Sequence, residues 1–173
     1  IVGPGPLGLL HLQVLQAAGV GPITVYGQAG DGARLQVAAA LGAHVYLGDR
    51  TAIALHAAGV TDGIGFGLAV EAGGTPGAIQ STLDVVAGGG TLVSLGIIHT
   101  TEIDVLQVMR KNLTWIGVVA SVRRHFADAI GLIQMGKVHP EALITHRLPL
   151  CDALAGFAAL RERSAVKVMF AVS

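Results

Sequence analysis

Glycines rather than ionisable side chains mark the first place where this chain could do chemistry. Gly3-Pro4-Gly5-Pro6-Leu7-Gly8 fits the spacing G-x-G-x-x-G. In that spacing the first glycine permits a tight turn out of a strand. The second lets backbone approach a diphosphate, and the third lets a helix pack close to the sheet. Pro6 stands near a first helical turn, where its missing N–H costs nothing. The helix N-terminus beyond it offers free N–H groups and a positive dipole end to phosphate oxygens. A glycine-rich turn without ligand is the alternative, but strand residues precede this one and an amphipathic helix follows. Gly3, Gly5, Pro6, Leu7 and Gly8 are therefore candidate contacts for a dinucleotide.

A second signal is expected about 20 residues later, where an acidic residue bonds the ribose 2′-hydroxyl of NAD. Here the second strand ends Val25-Tyr26-Gly27-Gln28-Ala29-Gly30-Asp31, with Gly27 or Gln28 at the acidic position. No carboxylate stands there to repel a 2′-phosphate, and Arg34 follows closely enough to pair with one. NADP is the favoured cofactor over NAD on this reading. Two alternatives stay open: Asp31 serving the ribose if the loop folds back, and Arg34 being a solvated helix-surface residue.

Metal or nucleophilic chemistry finds less support. The donors are one cysteine, Cys151, and seven histidines, His11, His44, His56, His99, His125, His139 and His146. No two histidines have i, i+4 spacing and there is no C-x-x-C. No metal site and no catalytic residue is assigned among them. Cys151 reads as a helix-start or core residue, with a reactive thiol as the alternative.

The elements that must hold the glycine turn follow from the apolar pattern. Short β-branched runs alternate with longer Ala- and Leu-rich runs. Strands are predicted over Ile1-Val2, Ile23–Tyr26, His44–Leu47, Leu68–Glu71, Thr91–Leu95 and Leu113–Val118. Helices are predicted over Leu7–Ala18, Asp31–Leu41, Thr51–Ala58, Thr75–Val86 and Arg123–Met135. This order predicts an α/β fold, a Rossmann doubly wound six-stranded parallel sheet with helices on both faces. Residues 1–140 form that domain. Residues 141–173 depart from the alternation, with a strand at Leu143–Leu148, a helix at Cys151–Arg161 and a strand at Val166–Val172. They read as a tail that packs on a further domain of the same polypeptide. Only Ile1 and Val2 precede the glycines, whereas a first strand needs about five residues, so the start reads as a truncation.

Composition agrees. In 173 residues, 52% are apolar and only 4% aromatic, which suits strands covered on both faces. With 11 basic and 11 acidic residues the chain has no excess charge for nucleic acid or an anionic membrane. Mean hydropathy is +0.65, yet no apolar run approaches the roughly 18 residues of a membrane span. No basic segment opens the chain, and a cytoplasmic location is expected.

Four segments resemble the cofactor domain and tail of medium-chain, zinc-dependent alcohol dehydrogenases of the sorbitol and threonine dehydrogenase type. They are Gly3 to Leu9; Leu35 to Ala43; Val70-Glu71-Ala72-Gly73 with Gly88 to Gly96; and Ile144 to Leu150 with Lys167-Val168. The resemblance implies that Leu95, Gly96 and Ile97 lie beside the nicotinamide and that Glu71 and Ala72 lie along the cofactor's path. It also implies that Lys167 is near the pyrophosphate. For Glu71 the alternative is a structural carboxylate, for Lys167 a surface lysine, and His146 reads as structural. Zinc would be held by an N-terminal catalytic domain in the full-length enzyme, not by these residues. A homodimer or tetramer through Leu113–Val118 is implied, with a buried Trp115 in a monomer core as the alternative. One departure is the turn Gly63-Ile64-Gly65-Phe66-Gly67, which lacks the family's usual aspartate. A zinc-free quinone or enoyl reductase, and a non-catalytic nucleotide-sensing module, are the competing functions.

Overall fold

The computed structural model describes residues 1–172. After the glycine turn comes α1 (Pro6–Ala17), then β1 (Thr24–Gly27), α2 (Gly32–Ala40), β2 (His44–Leu47) and α3 (Arg50–Val60). The middle of the chain supplies β3 (Phe66–Glu71), α4 (Pro76–Val85), β4 (Val86–Ser94), α5 (Val105–Arg110) and β5 (Thr114–Gly117). The C-terminal part holds α6 (Arg123–Gln134), β6 (Ile144–Pro149), α7 (Ala153–Arg161) and β7 (Lys167–Ala171). The helix α5 and two short 3₁₀ turns, Pro140–Leu143 and Leu150–Asp152, had no counterpart in the apolar pattern. Cys151 sits in the second of these turns, exposed and just ahead of α7 rather than in a core.

The strand pairing is parallel, but the expected count of six in one sheet is not what is seen. Among the described residues seven strands fall into three groups: β1-β2, β3-β4-β5 and β6-β7. The first two groups meet only at Val2, which bridges Tyr26 on one side and Glu71 on the other. The Val2 amide donates to the Val70 carbonyl at 2.8 Å, and the Ile1 carbonyl accepts from the Tyr26 amide at 2.8 Å. The expected strand at Ile1-Val2 is seen as single bridges from Val2 to Tyr26 and Glu71, and Gly3, at φ +110, turns the chain directly after it. The tail strands β6 and β7 pair with each other in a sheet of their own.

Alternation along β1 puts helices on both faces. Val25 packs with Leu9 and Leu12 of α1 and with Leu35 and Ala38 of α2. Its neighbour Tyr26 packs on the opposite face with Ile53 and Ala57 of α3 and Val85 of α4. The tail is anchored in the first of these cores, where Leu143 and Val166 join the α1–α2 cluster. Two caps fix the helices on the second face. The Asp49 carboxylate accepts from the Ala52 amide at α3, and the Thr75 hydroxyl accepts from the Ala78 amide at α4. No helix of the described residues is long and apolar enough to cross a membrane.

Candidate functional site

The glycine turn is built by two close approaches and one opening. A Cβ on Gly3 would fall 2.6 Å from the Gly73 nitrogen, and a Cβ on Gly8 would collide with the Gly3 carbonyl oxygen. A Cβ on Gly5 would meet nothing within 4 Å. Gly5 is the residue that precedes α1, with Pro6 at the first helical position and no side chain capping the first turn. The first N–H groups of α1 thus have no side-chain acceptor, and Gly5 beside them borders open space. That space is a cavity of about 260 Å³.

Gly3 to Gly5 form the floor of this cleft. The end of β1, with Gly27, Gln28, Asp31 and Arg34, forms one wall, and Ala72, Gly73 and Thr75 form the facing one. Gly48, Asp49 and Arg50 close the far side, and Arg163 reaches in from the tail. The structure thus brings Gly3, Gly5, Gly27, Gln28, Arg34 and Ala72 around one cavity. Pro6, Leu7 and Gly8 run back from its floor along α1. Lys167 is exposed at the start of β7 and is not among the lining residues, because β7 belongs to the tail's separate sheet.

Glu71 is fully buried at the end of β3, and both its oxygens are spent on backbone. Oε1 accepts from the Gly73 amide at 2.8 Å and the Gly74 amide at 2.7 Å, and Oε2 accepts from the Gly96 amide at 3.1 Å. This is the structural alternative for Glu71, and it fixes the geometry of two loops. The Glu71 carbonyl also accepts from the Leu95 amide at 2.9 Å. Leu95 and Gly96 are held directly beyond β4 by these bonds, and Ile97 follows, well exposed, against Gly74.

At the end of β1 the charges form a compact group. Asp31 is only 4% exposed. Its Oδ2 accepts from the Gln28 amide at 3.1 Å and from Nη1 of Arg163 at 3.3 Å, and Nη1 of Arg34 lies 3.7 Å from Oδ1. Arg34 is not a solvated surface residue. Its Nε donates to the Ala165 carbonyl at 3.0 Å and Nη2 to the Leu160 carbonyl at 3.4 Å, tying α2 to the tail. Burial pulls its guanidinium below the ordinary arginine value, with Asp31 pulling the other way. Arg50 is engaged in a two-point pair with Asp84, which raises its own value. No local pattern marks Arg163, which meets Asp31 across 132 residues.

Among the described residues no three His, Cys, Asp or Glu side chains converge on a point that could hold a metal ion. His146 bonds to the neighbouring Thr145 hydroxyl at 3.0 Å on β6, and His56 to the Tyr26 hydroxyl at 3.2 Å.

A family model described as zinc-binding dehydrogenase matches residues 6–135. The chain belongs to that family. It is 27% identical over 172 residues to D-arabitol-phosphate dehydrogenase of Enterococcus avium, covering 98% of this chain and 49% of that protein. It is 32% identical over 174 residues to L-threonine 3-dehydrogenase of Chelativorans sp., again covering 98% and 49%. The alcohol dehydrogenase TADH from Thermus sp. ATN1 superposes with a TM-score of 0.86 at 26% identity, over 99% of this chain and 50% of that one. The chain therefore spans about half the length of the relatives it matches. Its likeness to zinc-binding dehydrogenases fits the α/β architecture and the glycine turn described above.

Proposed function

We propose that this chain is the NAD(P)-binding domain of a zinc-dependent alcohol or polyol dehydrogenase, and that it holds the nicotinamide for hydride transfer to or from an alcohol or ketone. The observation that carries this reading is the contrast within the glycine turn. Gly3 and Gly8 are packed against backbone, while Gly5 opens on a cavity at an uncapped helix start. That is a cradle for a diphosphate, with the α1 N–H groups and dipole end as the anion partners. Gly3, Gly5, Pro6, Leu7 and Gly8 would hold the diphosphate. The β1 end with Gly27 and Gln28 would take the adenosine ribose. Ala72 would line the path to Leu95, Gly96 and Ile97, with Glu71 bracing both loops from below. The cofactor would supply hydride transfer, and these residues would supply position and exclude water.

The zinc of such an enzyme would be bound by a catalytic domain outside this chain. The tail, residues 141–173, has one face anchored in the α1–α2 core. Its other face carries exposed Leu150, Leu154 and Phe157, which suit packing on a catalytic domain. NADP is the preferred cofactor on this reading, since Gly27 and Gln28 carry no carboxylate of their own and the Asp31 carboxylate beside them is shared by Arg34 and Arg163. Titration with NADPH and with NADH, following nicotinamide fluorescence, tests the proposal. Saturable binding of either is expected, and binding of neither would overturn it.

A further inference from the structure

The cleft holds one guanidinium that the glycine turn does not explain. Arg163 follows α7 at φ +59, a left-handed backbone position where glycine is the cheaper residue. Its side chain nonetheless crosses from the tail to the end of β1. Nη1 donates to Asp31 Oδ2 at 3.3 Å. With the Gln28 amide turned so that its oxygen faces the guanidinium, that oxygen accepts from Nη1 at 3.0 Å and Nη2 at 3.1 Å. The fork is thus fixed at the corner where a dinucleotide's adenosine ribose meets the sheet.

Three arginines line the cleft, and their partners separate them. Arg34 is spent on the Ala165 and Leu160 carbonyls, and its side chain is only 16% exposed. Arg50 is spent on Asp84. Arg163 lines the cleft with a side chain 35% exposed, held through Nη1 by Asp31 and through both Nη atoms by the turned Gln28 oxygen. Asp31 does not cancel it for a ligand. That carboxylate is buried beneath the group, and two guanidinia share its single charge. The N-terminus of α2 opens at the same corner, where a Cβ on Gly32 would meet nothing. The corner offers an anion a pre-positioned guanidinium whose charge Asp31 only partly offsets, since Arg34 shares that carboxylate.

We propose that Arg163, a tail residue, reads the 2′-phosphate of NADP(H), so that cofactor selection is made partly by a segment remote from the glycine turn. The proposal rests on the NAD(P)-binding reading above. It differs from the sequence expectation in giving this task to Arg163 and leaving Arg34 as the bolt between α2 and the tail.

The test uses the intact protein, its Arg163→Gln and Arg163→Lys variants, and four probes: NADPH, NADH, 2′,5′-ADP and 5′-AMP. Wild type is expected to bind NADPH and 2′,5′-ADP more tightly than NADH and 5′-AMP. Arg163→Gln should weaken the two 2′-phosphates roughly tenfold or more, the scale of a lost charge-assisted pair, and leave NADH and 5′-AMP nearly unchanged. Should Arg163→Gln fail to fold, Arg163→Lys carries the test, losing the fork but not the charge. It should lose 2′-phosphate affinity roughly threefold with NADH unaffected, and unchanged 2′-phosphate affinity in that variant overturns the assignment. A wild type that prefers NADPH, with the preference kept in Arg163→Gln, overturns the role of Arg163 and leaves the NADP reading standing. A wild type that prefers NADH overturns both.

Discussion

Glu71 Oε2 accepts the Gly96 amide hydrogen at 3.1 Å, which fastens the end of β3 to the loop after β4. The same carboxylate holds the Gly73 and Gly74 amides, so one buried charge sets two loops on one side of the cleft. Glu71→Ala would leave three amides without their acceptor in a buried site. We expect a loss of stability on the order of 3 kcal/mol in urea unfolding. Glu71→Gln should cost less, because its carbonyl oxygen still serves Gly73 and Gly74. Equal stability of all three proteins would show that the carboxylate does not brace these loops.

Gly5 and Gly8 should separate binding from folding. Gly5→Val places its side chain in open cleft at a backbone angle any residue adopts, φ −75. Its thermal midpoint should stay near wild type while dinucleotide affinity falls by roughly tenfold or more. Gly8→Ala instead drives a methyl into the Gly3 carbonyl and should cost roughly 2 kcal/mol or more of stability. Reversal of this order would remove the diphosphate from Gly5.

Lys111 closes the end of α4. Its ammonium donates to the carbonyls of Leu83 at 2.7 Å, Asp84 at 3.1 Å and Val86 at 2.7 Å. Lys111→Met keeps the stem but strands these acceptors. A destabilisation of about 2 kcal/mol by denaturant titration is expected, with little change in nucleotide affinity.

Tyr26 should be the last phenol to ionise. Burial first, and then the neighbouring Tyr46, push its value up to about 12 from the ordinary 10.0. Folding favours the neutral phenol. Its contribution to stability is therefore fully present below pH 10.0 and is lost as pH rises through about 12. A tyrosinate absorbance titration should show a late step that Tyr26→Phe removes. Ionisation of Tyr26 near pH 10.0 with the fold intact would contradict the burial.

The edge strand β5 bears on assembly. It pairs only with β4 on one side, and Trp115, Ile116 and Val118 are exposed. This arrangement supports association of two copies through the segment Leu113–Val118, since an uncovered apolar edge is otherwise a site of aggregation. Ile116→Lys should shift the protein to a smaller species in sedimentation velocity. The same sedimentation profile for variant and wild type would place the contact elsewhere.

Local chemistry made the glycine turn readable from residues alone. The positive φ of Gly3 and the approach of Gly8 to the Gly3 carbonyl are backbone demands set within six positions, and the strand–turn–helix order follows from apolar period. Parallel pairing and helices on both faces were legible for the same reason. The short helix α5 was not, because six residues carry too little periodicity to register.

What the chain determined by itself is the glycine cradle and the α/β order around it, since both arise from residues adjacent in sequence. What only the folded structure decided is which side chains arrive there from far away. Glu71 turned out to be a brace, Arg34 a bolt to the tail, and Lys167 a surface residue in a separate sheet. Arg163 reached Asp31 across 132 residues. Such meetings are set by the packing of Leu143 and Val166 into the α1–α2 core, a contact that no local pattern encodes.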